Sequence, residues 1–145
     1  MAPRFFGSYE HSLDIKGRVI LPARFRPHFG VQAYVTQYQE GCLALWTSDE
    51  FEQQMAEQER LQQLGRTERN LARVWASASA EVDIDRQGRF AIPGKLREFA
   101  HLESESPVLV NGALNRVELW NPAEWERRVR PAESQLTDDD QAESS

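Results

Sequence analysis

Two stretches of the chain come into register when the sequence is shifted by 71 residues. The first is Leu13-Asp14-Ile15-Lys16-Gly17-Arg18-Val19-Ile20-Leu21-Pro22-Ala23-Arg24-Phe25-Arg26. The second is Ile84-Asp85-Arg86-Gln87-Gly88-Arg89-Phe90-Ala91-Ile92-Pro93-Gly94-Lys95-Leu96-Arg97. Asp, Gly, Arg, Pro and the closing Arg are identical across the pair, and most other positions exchange like for like. Ser8 and Glu10 match Ser79 and Glu81 upstream. Leu45-Trp46 and Leu119-Trp120 align at a shift of 74, with Phe51 and Trp125 five residues beyond each Trp. Self-similarity that keeps turn residues, prolines and tryptophans in order marks a duplicated unit.

Each unit has the same physical reading. Strands at Tyr9–Leu13 and Glu81–Ile84 lead into turns at Gly17 and Gly88, which supply the positive φ of a tight turn. Asp14 and Asp85 are expected to accept hydrogen bonds within those turns, a role for which Asp is favoured. The returning strands, Arg18–Leu21 and Arg89–Ile92, end at Pro22 and Pro93, which cannot donate to a ladder but suit the first turn of a short helix. Strand pairs Ala33–Thr36 with Cys42–Trp46, and Val108–Asn111 with Val117–Trp120, complete the two units. Between them runs a helical segment with Thr47 or Ser48 as N-cap and Gly65 as a break. Its second run, from about Thr67 to Trp75, sets Leu71, Val74 and Trp75 on one side, a stripe expected to face the core. Asn121-Pro122 opens a last helix. The expected division is 5–52 for the first repeat, 53–78 for the connecting helices, 79–128 for the second repeat and 129–145 for an acidic disordered tail.

Charge narrows the function. The 145 residues carry a net charge of −6, but residues 131–145 hold five acids and no base. The rest has 17 bases against 18 acids, and residues 1–30 carry five bases against two acids. A local basic face on a near-neutral body is therefore available, although general attraction to a polyanion is not. No stretch approaches the roughly 20 apolar residues of a membrane helix, and the N-terminus lacks the apolar region of a secretory signal. The expectation is a cytoplasmic protein. One cysteine, Cys42, excludes an internal disulfide and a multi-cysteine zinc site.

The chemistry-bearing residues point to binding rather than catalysis. His11, His28 and His101 fit no metal-ligand spacing, Cys42 lies in an apolar strand, and neither a Gly-x-Ser-x-Gly elbow nor a Gly-rich phosphate loop occurs. No enzyme, no metal, no cofactor, no membrane and no small-molecule substrate are expected. The turn cations are the candidates. Lys16, Arg18, Arg86 and Arg89, with Arg24 on the short helix, are expected to bind DNA, because a guanidinium fork matches a phosphate or the O6/N7 edge of guanine. Asp14, Gly17, Asp85 and Gly88 are expected as structural turn residues. Arg26, Lys95 and Arg97 read equally well as phosphate contacts or as a solvated face.

The paired Asp-x-x-Gly-Arg turns at Asp14–Arg18 and Asp85–Arg89, each followed by an aliphatic strand and Pro, resemble the MraZ family. That family shares a swapped-hairpin superfamily with AbrB-type transition regulators and MazE-type antitoxins. The resemblance covers about residues 5–128. It departs in two or three extra residues before Phe5-Phe6-Gly7, in the acidic tail, and in Ala91 where an aliphatic strand residue is usual. It implies a mainly β fold with short α-helices, a double-split (swapped-hairpin) β-barrel built from two AbrB-like repeats. It further implies a nucleoid-associated transcriptional repressor of its own division and cell-wall gene cluster, which binds direct promoter repeats in double-stranded DNA as a ring-shaped homo-oligomer. Two alternatives stay open: an antitoxin-like DNA-binding protein, disfavoured because residues 131–145 offer one large apolar anchor, Leu136, and a structural ring that does not bind DNA.

Overall fold

The computed structural model of the protein describes residues 2–137. Among the described residues, eight strands are arranged as a six-stranded antiparallel sheet and a separate two-stranded ribbon. In the first half these are β1 (Ser8–Ser12), β2 (Arg18–Ile20), β3 (Gln32–Gln37) and β4 (Leu43–Trp46). In the second half they are β5 (Ala80–Asp83), β6 (Arg89–Ala91), β7 (Pro107–Gly112) and β8 (Val117–Trp120). The sheet order is β1-β7-β8-β4-β3-β5, and β2 pairs with β6.

This order shows how the repeats interlock. β1 pairs with β7 of the other half, and β5 pairs with β3. The strands flanking each Gly turn therefore leave their own hairpin almost at once and pair across the duplication. β4 and β8 join the halves at the centre, with Leu43 opposite Leu119, Ala44 opposite Glu118 and Leu45 opposite Val117. The mainly β fold with short helices is as expected from sequence. The barrel, however, does not close: β1 and β5 remain edges, and the β2–β6 ribbon is not hydrogen-bonded into the large sheet.

Period-two alternation explains the core. Val19 and Phe90, opposite each other in the ribbon, point inward and are buried with Leu13, Leu21, Phe25, Leu96 and the inner faces of β3, β4, β7 and β8. β4 and β8 are buried on both faces, so their sequences Leu-Ala-Leu-Trp and Val-Glu-Leu-Trp read as continuous runs rather than alternating ones. Leu43, Leu45, Val117 and Leu119 face the core, while Trp46 and Trp120 lie on the other face beneath the helices.

The short helices differ between halves. The first half has a 3-10 turn at Arg26–His28, whereas the second forms α3 (Gly94–Phe99). Pro27 accounts for this, since it has no N–H for an α-helical bond; Glu98 occupies the matching position. The connecting segment forms α1 (Ser48–Leu61), capped by the Thr47 hydroxyl, and α2 (Arg66–Ala78) beyond Gly65. They are fastened to β3 by stacked rings, Tyr34 on Phe51 at 4.3 Å and Phe51 on Trp75 at 5.5 Å. The α2 stripe departs from expectation. Trp75 packs inward, but Leu71 and Val74 are 62% and 53% exposed. The residues expected to begin a disordered tail at 129 instead continue from α4 (Pro122–Arg128) through a 3-10 turn at Arg130–Glu133 into α5 (Ser134–Thr137). The remainder of that segment, 138–145, lies outside the described residues.

Candidate nucleic-acid interface

The two turns are near copies in detail. Gly17 and Gly88 have φ of +76° and +83°, the left-handed region that glycine enters without steric cost. In each turn the Gly N–H donates to the Asp carbonyl at 2.9 Å, and the Asp N–H donates to the carbonyl of the following Arg at 2.9 Å. Asp14 Oδ1 accepts from the backbone N–H of Lys16 and Arg18, and Asp85 Oδ1 accepts from those of Gln87 and Arg89. The other carboxylate oxygen accepts from the arginine Nε, at 2.7 Å for Arg18 and 2.9 Å for Arg89.

Each Asp thus closes its turn and buttresses its Arg. The backbone N–H of Arg18 holds the Asp14 carboxyl below the usual carboxylate range, aided by the Arg18 side chain and the Lys16 N–H. Arg89 and Gln87 do the same for Asp85. Because Nε is engaged, the guanidinium plane is fixed while its terminal Nη groups stay available as a fork. Both arginine side chains are 32% exposed.

The ribbon brings the arginines together. Its register sets Arg18 opposite Ala91, Val19 opposite Phe90 and Ile20 opposite Arg89. With Val19 and Phe90 inward, the outward face consists of Arg18, Ile20, Arg89 and Ala91. The turns bracket this ribbon: Leu21 N–H donates to Gly88 O at 2.7 Å, and Ile92 N–H donates to Gly17 O at 3.0 Å. Lys16 and Arg86 lie exposed on the turn tips. Of the five residues expected to bind DNA, four, Lys16, Arg18, Arg86 and Arg89, belong to this one ribbon and its turns. Arg24 is occupied differently, its guanidinium 4.7 Å above the Phe6 ring.

Arg26 and Arg97 have a role that the sequence left open. Arg26 Nε donates to Leu21 O at 2.7 Å, and Arg97 Nε donates to Ile92 O at 3.0 Å. A Cβ placed on Gly17 would meet Arg97 Nε at 2.7 Å, and one on Gly88 would meet the Arg26 guanidinium. Each half therefore covers the other half's turn with its own arginine. The available signal was the identity of the two residues under the 71-residue shift.

Other polar groups serve packing. Glu118, buried on β8, accepts from the Trp120 indole at 2.9 Å and pairs with Arg116 at 2.7 Å; Arg116 in turn lies 4.6 Å over Tyr38. Burial pushes the Cys42 thiol up, away from the reactive thiolate.

Comparison with known proteins agrees with this architecture. The family model described as "MraZ protein, putative antitoxin-like" matches twice, over residues 5–74 and 76–144. A transcriptional regulator MraZ of Finegoldia magna is 36% identical over 139 residues, covering 96% of this chain and 94% of that protein. The proteins of the same name from Moorella thermoacetica and Pediococcus pentosaceus are 37% and 40% identical, each covered over at least 90% of both chains. With the two-repeat match and these relatives spanning nearly its whole length, the chain belongs to the MraZ family of transcriptional regulators.

Proposed function

We propose that this chain is a sequence-specific DNA-binding repressor of its own division and cell-wall gene cluster, acting as a ring-shaped homo-oligomer on direct promoter repeats and therefore nucleoid-associated. The observation that carries the reading is the β2–β6 ribbon, which presents two Asp-buttressed arginines on one exposed face with a further cation at each turn tip. A two-stranded ribbon fits the major groove, where an arginine fork reads guanine O6 and N7. The regulated genes, the repression and the ring are carried over from the family resemblance.

Two surfaces support assembly. Leu71 and Val74 on α2 form an exposed apolar face. Behind α4 lies an open cleft lined by Trp125, Val129, Ala132 and Leu136. These are different patches, so a contact between them is heterologous and propagates head to tail, closing into a ring when the rotation allows. Head-to-tail subunits present their ribbons in the same sense and so match direct rather than inverted repeats. Linking several weak modules raises overall binding by about 10²–10⁴, which a near-neutral body requires.

The test pairs native mass measurement with titration of duplex DNA from upstream of the chain's own gene. The expected result is a species well above a dimer, and binding that suffers far more from about five base pairs inserted between repeats than from a full turn of about ten. Binding no tighter than to random duplex would overturn the DNA reading. A monomer that binds one box as tightly as the whole segment would overturn the ring.

A further inference from the structure

The ribbon has a local twofold relation between its strands, and its two buttressed arginines obey it. The 71-residue shift places Arg18 on Arg89, Asp14 on Asp85 and Gly17 on Gly88. The antiparallel register is centred on Val19 opposite Phe90, so this equivalence is also spatial. The two Asp–Arg contacts are alike in length and exposure. The turn tips each carry one cation but do not match residue by residue, since the shift sets Ile15 on Arg86 and Lys16 on Gln87. Arginines related in this way cannot distinguish one direction of a DNA box from the other. Direct repeats, however, require each module to have a direction.

On the outward face the relation fails where Ile20 corresponds to Ala91. Ile20 is 40% exposed, an aliphatic side chain directly across the ribbon from Arg89. Directly opposed residues on an antiparallel pair lie about 4.5–5.5 Å apart, so a base edge next to the one met by Arg89 is within reach of Ile20. The apolar feature that a major groove offers beside guanine is the C5-methyl group of thymine. Ala91, at the matching place beside Arg18, is two carbons shorter along its longest branch and leaves that contact unmade.

We infer that Ile20 is a specificity residue that orients each module on DNA by packing against a thymine methyl next to the base read by Arg89. The inference rests on the DNA-binding reading above. It supplies what the paired arginines cannot, a polarity within one box. Substituting Ile20 removes no core contact, because its inward neighbours on the strand, Val19 and Leu21, carry the burial.

The experiment selects bound duplexes from a library of randomised DNA with the full-length protein, then measures affinity for the selected duplex by fluorescence anisotropy. The wild type is expected to select a directional box containing an essential thymine. Replacing that thymine by deoxyuracil, which removes only the methyl, should weaken binding about fourfold, the value of one buried methyl group. Ile20→Ala should become indifferent to the replacement and select a box with weaker directionality. The exchange Ile20→Ala with Ala91→Ile should select the same box reversed relative to a fixed turn marker, a single Gln87→Cys carrying a DNA-cleaving probe. Circular dichroism confirms folding of each variant. A wild type that selects nothing overturns the DNA reading itself. A wild type that selects a box, yet tolerates deoxyuracil throughout or keeps its orientation as Ile20→Ala, leaves that reading standing and overturns the role of Ile20.

Discussion

The two halves of the chain agree closely at their turns and diverge in the helical segments and in the partners of their tryptophans. Both turns have the same four hydrogen bonds to Asp, the same glycine conformation and the same buttressed arginine. Outside them, a 3-10 turn in one half answers an α-helix in the other. Trp46 bonds a threonine hydroxyl while Trp120 bonds a glutamate. Two long helices follow β4, whereas one short helix and two further helical turns follow β8. The difference teaches where the physical constraint lies. A tryptophan face can be covered in many ways. A turn whose glycine is roofed by the other half's arginine can change only if both halves change together.

The largest effect on stability is expected at the glycines. Gly17→Ala and Gly88→Ala each force a Cβ into the left-handed region, costing about 1–2 kcal/mol, and each must also displace the covering arginine. Thermal denaturation should show losses of similar size, and a midpoint unchanged in one variant alone would break the equivalence of the halves. Next come Arg97→Ala, which removes hydrogen bonds to Ile92 O and to the Ser104 hydroxyl, and Arg26→Ala, which removes one to Leu21 O, at about 0.5–1.5 kcal/mol for each bond. Their sharper signature is crossed. Hydrogen exchange should speed up at Gly17 when Arg97 is removed, and at Gly88 when Arg26 is removed. Exchange that changes only in the mutated half would refute the reciprocal cover.

Acid should have a smaller effect. Asp14 and Asp85 have carboxyl groups held below their ordinary range by backbone and arginine donors. The unfolded chain therefore binds more protons in that window, so the stabilisation is present above about pH 4 and is lost as pH falls through the folded values. Asp14→Asn with Asp85→Asn should flatten the acid limb of a stability–pH curve, and an unaltered limb would show that the turns do not contribute to it. The least effect on the fold is expected from Leu71→Lys with Val74→Lys, because exposed positions usually change stability by less than about 0.5 kcal/mol. Native mass should nevertheless drop toward the monomer. An unchanged assembly would remove α2 from the interface.

Much of this was legible in the sequence because the decisive chemistry is local. Asp14, Gly17 and Arg18 lie within five residues, and an Asp–Gly turn with its arginine needs no distant partner to be recognised. The turn cations could be nominated for the same reason. Strand exchange was not legible from the residues themselves, since β1 pairs with β7 across about a hundred positions and alternation reveals a buried face but not its partner. Only family resemblance supplied it, and resemblance overstated closure into a barrel. Arg26 and Arg97 look like ordinary surface bases until the other half is folded over them. The stripe on α2 misled for a different reason. Leu71, Val74 and Trp75 share one side of the helix, but the covered part is its edge at Trp75 and Ala72 while Leu71 and Val74 stay exposed, and periodicity locates such a stripe without saying how much of it is covered.

The most direct test of the central claim, that the swapped ribbon's arginines hold the DNA, is the salt dependence of operator binding for the wild type, Arg18→Ala, Arg89→Ala and the double variant. Each single substitution should weaken binding about 5- to 150-fold, the range of one lost arginine contact to a base, and an arginine that neutralises a phosphate should also lower the log–log salt slope by about one. The double variant should fall to the level of random duplex while its circular dichroism stays that of the wild type. Wild-type affinity and slope in the double variant would contradict the account and leave both arginines as parts of the turn alone.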